Sequence, residues 1–188
     1  MVLIVLAGCG PKQSPPAQKP PFPMVTGENL FAVSALDAEH AWAVGFNALI
    51  AHTSDGGTTW EIQNSGVTVP LYDVSFVNPQ AGWIAGGRGT ILHTADGGKT
   101  WQPQTSGTNR QLFGIDFADE TFGWAVGEFG TIMRSKDAGK TWEQRPIDWA
   151  TFRDDGYEPH IYAVDVQDNG RILIGAEFAY VIVSEDGG

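Results

Sequence analysis

An acidic glycine turn followed by Thr-Trp recurs along this chain at an even step, and that recurrence restricts the fold more than any other feature. It reads "HTSDGGTTW" (His52 to Trp60), "HTADGGKTW" (His93 to Trp101) and "RSKDAGKTW" (Arg134 to Trp142), and a fourth copy begins as "VSEDGG" (Val183 to Gly188). Asp55, Asp96 and Asp137 stand about 41 residues apart, and Asp186 follows after about 49. Trp60, Trp101 and Trp142 keep the step, as do Trp42, Trp83 and Trp124, and Gly45, Gly86 and Gly127. The pairs Leu30-Phe31, Leu71-Tyr72 and Leu112-Phe113 do the same, with Ile161-Tyr162 after the longer interval. A period near 40 with several strand-length runs per unit is the mark of a β-propeller, one blade per repeat.

Each unit divides into four strands. In the second, "LYDVSFV" (Leu71 to Val77) alternates and is expected innermost, "GWIAGG" (Gly82 to Gly87) comes second, "GTILHTA" (Gly89 to Ala95) third, and "TWQPQT" (Thr100 to Thr105) outermost. Small residues on the second strand, Ala85 and Gly86, allow close approach of neighbouring blades, and Ile91 and Leu92 on the third fill the space between sheets. With Gly 24 and Pro 11 beside Trp 7 and Phe 10 in 188 residues, short strands, many turns and an aromatic interior agree with an all-β protein. The expected fold is therefore a β-propeller of four-stranded antiparallel blades, with blades near 30–66, 71–107 and 112–148 and an incomplete one at 161–188.

The recurring turn has the form Ser/Thr-x-Asp-x-Gly-x-Thr-Trp, the Asp-box, placed between third and fourth strands. Its members are Thr53, Asp55, Gly57, Thr59 and Trp60; Thr94, Asp96, Gly98, Thr100 and Trp101; Ser135, Asp137, Gly139, Thr141 and Trp142; and Ser184, Asp186 and Gly188. The aspartate can accept hydrogen bonds from the amides of its own turn. The glycine supplies a backbone conformation that a side chain hinders, the threonine restarts the strand, and the tryptophan plugs the blade. One carboxylate per blade on the outer rim is too dispersed to hold a metal or a substrate. His52 and His93 fall in one column on adjacent blades, without a third ligand nearby. No catalytic residue, metal or cofactor is assigned.

The beginning of the chain reads differently. "MVLIVLAGCG" carries a short apolar run ending Leu6-Ala7-Gly8-Cys9 and resembles a bacterial lipoprotein signal, with the only cysteine, Cys9, as the lipidated residue. Seven apolar residues are too few to cross a bilayer. Residues 10–23, "GPKQSPPAQKPPFP", are Pro-rich and read as an extended tether; residues 24–188 form the propeller. The expected location is extracytoplasmic and membrane-anchored, in a periplasm, at a cell surface or in a thylakoid lumen. A net charge of −11 repels phosphate backbones, so no nucleic-acid partner is expected.

"GWAVGEFGTIMRSKDAGKTW" (Gly123 to Trp142) and its sister units resemble the photosystem II assembly/stability factor family, over Leu30 to Gly188. The resemblance implies a seven-bladed propeller acting as an extracytoplasmic, non-catalytic scaffold for a membrane complex, one face carrying an arginine-rich docking patch. Seven blades take on the order of 290 residues, so about four of seven are expected here, as a partial propeller. "PFPMVTG" (Pro21 to Gly27) is expected to form a lone outer strand. The chain departs from the arginine patch: Arg88 and Arg110 fall in loops of that face and Arg153 in an insertion, but Glu128 and Glu177 occupy turns equivalent to that of Arg88.

The face formed by second-to-third-strand loops and blade connections is the expected docking surface, because it varies most between units. Its candidate contacts are Arg88, Arg110, Phe129 and Phe178, with Trp149, Phe152, Arg153 and Tyr157 in the irregular connection "RPIDWATFRDDGYEPH" (Arg145 to His160). Aromatics among charges suit an interface hot spot; equally, they suit a loop that tucks its rings over the blade edge. The partner expected is a membrane protein complex, with glycan as a possible ligand. The alternative is a glycan-binding or sialidase-like glycoside hydrolase propeller. Against it, the Phe/Tyr-Arg-Ile-Pro signature is missing, and no arginine precedes Asp55.

Overall fold

The computed structural model describes residues 29–151 and 156–188. Cys9, the Pro-rich tether and Pro21 to Gly27 lie outside the described residues. Four antiparallel sheets follow one another, each a simple meander. Blade 1 is β1 (Leu30–Ala35), β2 (Ala41–Gly45), β3 (Ile50–Thr53) and β4 (Glu61–Gln63). Blade 2 is β5 (Leu71–Phe76), β6 (Gly82–Gly86), β7 (Ile91–Thr94) and β8 (Gln102–Gln104). Blade 3 is β9 (Leu112–Phe117), β10 (Gly123–Gly127), β11 (Ile132–Ser135) and β12 (Glu143–Gln144), and blade 4 is β13 (Ile161–Val166), β14 (Ile172–Ala176) and β15 (Val181–Ser184). The first strands β1, β5, β9 and β13 lie side by side, which makes them the inner strands around a common axis. Outer strands are shorter than the sequence suggests: β8 begins only at Gln102, so Thr100 and Trp101 belong to the turn.

The core is divided into three seams, one between each pair of blades. In the first, Trp42 of β2 stacks on Phe76 of β5 at 3.6 Å; in the second, Trp83 stacks on Phe117 at 3.7 Å. Each phenylalanine lies over a glycine of its own blade, Gly82 or Gly123, where a Cβ would run into the ring. The third seam solves the same volume differently: Val166 replaces the phenylalanine, Ile172 replaces the glycine, and both pack with Trp124. Ala85, Ile91 and Leu92 are fully buried, as their expected role between sheets requires.

The Asp-boxes are self-contained corners. Asp96 Oδ1 accepts the Thr100 amide at 2.9 Å and Oδ2 the Thr100 hydroxyl at 2.7 Å. Thr94 is the second centre: its hydroxyl donates to Asp96 Oδ1 and accepts the Gly98 amide, both at 2.8 Å. Blades 1 and 3 repeat the arrangement through Thr53-Asp55-Thr59 and Ser135-Asp137-Thr141. In blade 4, Ser184 bonds Asp186 and Gly188 in the same way. These bonds to the threonine amides and hydroxyls hold Asp55, Asp96 and Asp137 below the usual carboxyl range. Trp101 is buried against Phe76, while Trp60 and Trp142 are partly buried.

Each outer strand reaches into the next blade's box. Gln63 Nε2 donates to the Gly97 carbonyl at 3.0 Å and its Oε1 accepts Trp101 Nε1 at 3.2 Å. Gln104 repeats the first bond, to the Ala138 carbonyl at 2.9 Å. At the third seam the clasp is charged. Arg145 donates to the Gly188 carbonyl at 2.8 Å, Arg134 to the Gly187 and Gly188 carbonyls at 3.2 and 2.8 Å, and Glu143 pairs with both arginines.

Candidate docking face

Backbone bonds sort the connections into two faces. The first-to-second-strand loops bond the Asp-boxes, as in Gly97 N–H to the Gln80 carbonyl. The second-to-third-strand loops bond the blade connections on the opposite face, as in Gly130 N–H to the Pro159 carbonyl. The docking candidates belong to this second face.

Every inner strand begins with a β-bulge. The register skips one residue between Leu30 and Ala32, Leu71 and Asp73, Leu112 and Gly114, and Ile161 and Ala163. The skipped residues are Phe31, Tyr72, Phe113 and Tyr162. A bulge re-aims a side chain out of the ladder, and here it brings the four rings into contact from blade to blade in tilted and T-shaped pairs. Their centroids are 5.6, 5.4 and 5.3 Å apart, an aromatic arc on the inner strands. His160 joins it, 6.2 Å from Phe113 and 4.9 Å from Phe129. Its Nδ1 accepts the Phe129 amide at 3.1 Å.

Each second-to-third-strand turn places two successive residues in the left-handed region, the first being Asn47, Arg88, Phe129 or Phe178, with φ between 49° and 59°, and the second Ala48, Gly89, Gly130 or Ala179. Asparagine tolerates this conformation; for other L residues it costs roughly 1–2 kcal/mol. In blades 3 and 4 the residue is a phenylalanine whose ring is exposed, 47% at Phe129 and 59% at Phe178. Phe129 lies in a blade flanked on both sides and is exposed all the same.

Polar groups around these rings are held within the face. Arg110 donates to the Phe129 carbonyl at 2.6 Å, and its guanidinium lies 5.5 Å from the Phe129 ring centroid, with Glu158 at 3.9 Å. Glu128 accepts the Gln111 amide. Glu177 accepts the His160 amide at 3.0 Å and the Tyr157 hydroxyl at 2.9 Å, bonds that lower its pKa. Arg88 is exposed at the rim of a cavity of about 430 Å³, lined also by Tyr72, Asn109, Gln111 and Glu128.

The structure thus gathers Arg110, Phe129, Tyr157 and Phe178 on one face near blades 3 and 4, and Arg88 farther round. Trp149 is a correction. It is buried in the seam between blades 3 and 4, near Tyr180 and over Gly130, so it supports the loop and is no surface contact. Phe152 and Arg153 lie outside the described residues. The arc and His160 were missed as a surface: the sequence shows them as a repeating column, but only the bulge reveals where the rings point. His52 and His93 stack on Trp42 and Trp83, and among the described residues no group of three potential ligands could hold a metal.

The inner strands carry a separate set of carboxylates. Asp73 accepts the Val74 and Ile115 amides, and Asp116 accepts the Ser75 hydroxyl and the Val166 amide. Each ties its inner strand to the next. Burial pushes Asp73 up to about 6 and raises Asp116 as well.

Antiparallel meanders set side by side on their first strands define the class: these blades are part of a β-propeller. The chain belongs to the family described as Photosynthesis system II assembly factor YCF48, which matches residues 20–102 and 104–188. Among solved structures, it is similar to YCF48 bound to D1 peptide (24% identity, TM-score 0.67), covering 87% of this chain and 53% of that one. It is also similar to YCF48 from Cyanidioschyzon merolae (22%, TM-score 0.69), covering 88% and 56%. The chain spans a little over half the length of these two structures. An ancestral GH74 enzyme shares the fold at 14% identity and TM-score 0.69, covering 91% of this chain and 24% of that one. A search of curated proteins finds no match.

Proposed function

We propose that the protein is a non-catalytic, lipid-anchored scaffold outside the cytoplasm that binds a protein segment on its loop face and assists assembly or stability of a membrane complex. The observation that carries the reading is membership of an assembly-factor family joined to an exposed aromatic face away from the Asp-boxes. Exposed rings held by a rigid sheet scaffold suit docking. The YCF48 structure bound to D1 peptide shows a family member holding a segment of another protein. The lipobox reading of Cys9 and the Pro-rich tether support membrane attachment, with the face held clear of the bilayer.

A photo-crosslinking residue placed at Phe129, and as a control at Lys140 beside an Asp-box, tests the assignment in host membranes. Cross-links to an integral membrane protein are expected from the Phe129 position alone. Equal capture from both positions, or recovery of polysaccharide only, overturns it, the latter in favour of the glycan reading. Cys9→Ala is expected to release the protein from membranes into the soluble fraction.

A further inference from the structure

We propose that the loop face of blades 3 and 4 takes a basic peptide segment bearing an apolar anchor, a reading that rests on the docking role above and specifies the chemistry of the partner.

Three observations on the surface lead there. First, Phe129 and Phe178 hold a left-handed backbone at φ 49° and 59°, and the Phe129 ring stays exposed although blades flank it on both sides. Blades 1 and 2 build the same turn with Asn47 and Arg88, so the turn itself does not call for an aromatic residue. A ring that strains its backbone without entering the core is one retained for contact with something outside the chain. Second, the rings are continuous with a larger apolar surface. Phe129 meets His160, His160 meets Phe113 and Tyr162, and Tyr157 meets Phe178 at 5.6 Å. Third, the charge around them is negative. Glu128, Glu158 and Glu177 surround the rings, and the cation bonded among them is Arg110. The hydrogen bonds to Glu128 and Glu177 come from amides and hydroxyls, which orient the carboxylates and leave their charge in place.

Aromatic faces and carboxylates together recognise a cation on an aliphatic stem, which lies over a ring while its charge meets an acid. The protein holds an internal precedent in Arg110, whose guanidinium sits over the Phe129 ring. The three carboxylates outnumber Arg110, which pairs with Glu158, so charge complementarity selects the basic segment.

Two fluorescent peptides of one length test this with the whole chain: Gly-Lys-Leu-Lys-Phe-Lys-Leu-Lys-Gly and its counterpart with Glu for every Lys. The lysine peptide is expected to bind at least ten-fold tighter, and more weakly as salt rises. Because any cationic peptide is drawn to a chain of net charge −11, the deciding variants are F129N and F178N, which change no charge. Each is expected to weaken the lysine peptide at least ten-fold while the thermal midpoint stays or rises, since asparagine relaxes the turn. Binding unchanged in both variants, or lost only together with a falling midpoint, overturns the site. Tighter binding of the glutamate peptide overturns the charge reading and leaves the docking role intact. Loss of cross-linking from Phe129 in membranes, by contrast, overturns the docking role itself.

Discussion

The Thr94 hydroxyl donates to Asp96 Oδ1 and accepts the amides of Asp96 and Gly98, on a residue 1% exposed. Replacing it by valine keeps the shape and strands a buried Gly98 amide, which costs about 2 kcal/mol. Urea denaturation of T94V is expected to show that loss, and a smaller one for D96N, which keeps an acceptor for Thr100. The glycine of the box makes a sharper case. At Gly57 (φ 84°) an added methyl finds nothing nearer than Trp60 at 3.8 Å, so G57A carries only the left-handed penalty of about 1 kcal/mol. At Gly98 (φ 83°) the methyl would collide with the Gln63 amide of the preceding blade. G98A is therefore expected to cost at least twice as much as G57A, with the excess removed in the Q63A background, as a double-mutant cycle measures. The sequence shows why glycine suits the turn. That a neighbour's glutamine also demands it depends on Gln63 and the Gly97-Gly98 turn of the next blade meeting in space, which no local pattern reveals.

Seams are where blades become a ring. Gln63 and Gln104 clasp the next box with a neutral amide, while the third seam uses Arg134 and Arg145 braced by Glu143. Arg134 stands where blades 1 and 2 have His52 and His93, and it also lies over Trp124 at 5.8 Å. A histidine there cannot reach the two carbonyls, so R134H is expected to destabilise blade 4 by about 2 kcal/mol. Hydrogen exchange should locate the effect: faster in β14 and β15, unchanged in β2 to β7. The order of antiparallel strands in successive sheets was legible in the sequence because the columns hold their step. The position of Trp149 was not. Among charges in an irregular stretch its residue type fits a hot spot and a buried support equally well, and the choice depended on the open space over Gly130.

Across the whole molecule, two sets of carboxylates respond to pH in opposite senses. Asp73 has its folded pKa raised to about 6 by burial, above the ordinary value of an unfolded chain. Its contribution is complete below that ordinary value and is lost as pH rises through about 6, a change on the order of 3 kcal/mol. Asp55, Asp96 and Asp137 are lowered, so their contribution is present above the ordinary carboxyl range and is lost as pH falls. Thermal melts are expected to peak near pH 4 and to decline up to about pH 6, and D73N to flatten that decline without raising the maximum. A decline between about pH 4 and 6 that D73N leaves unchanged would refute the assignment. The Asp73 effect was not legible beforehand, since Asp73 looks like any alternating strand residue until the next inner strand covers it.

The clasps also decide which units of the chain are interchangeable. Gln63 and Gln104 offer one amide to boxes of nearly one shape, so gaining or losing a unit between them leaves every neighbour matched. The third seam meets the same kind of acceptor, a backbone carbonyl, with the guanidinium groups of Arg145 and Arg134 in place of one amide. A unit transplanted to that joint with a glutamine in its outer strand leaves the charged grip unmade.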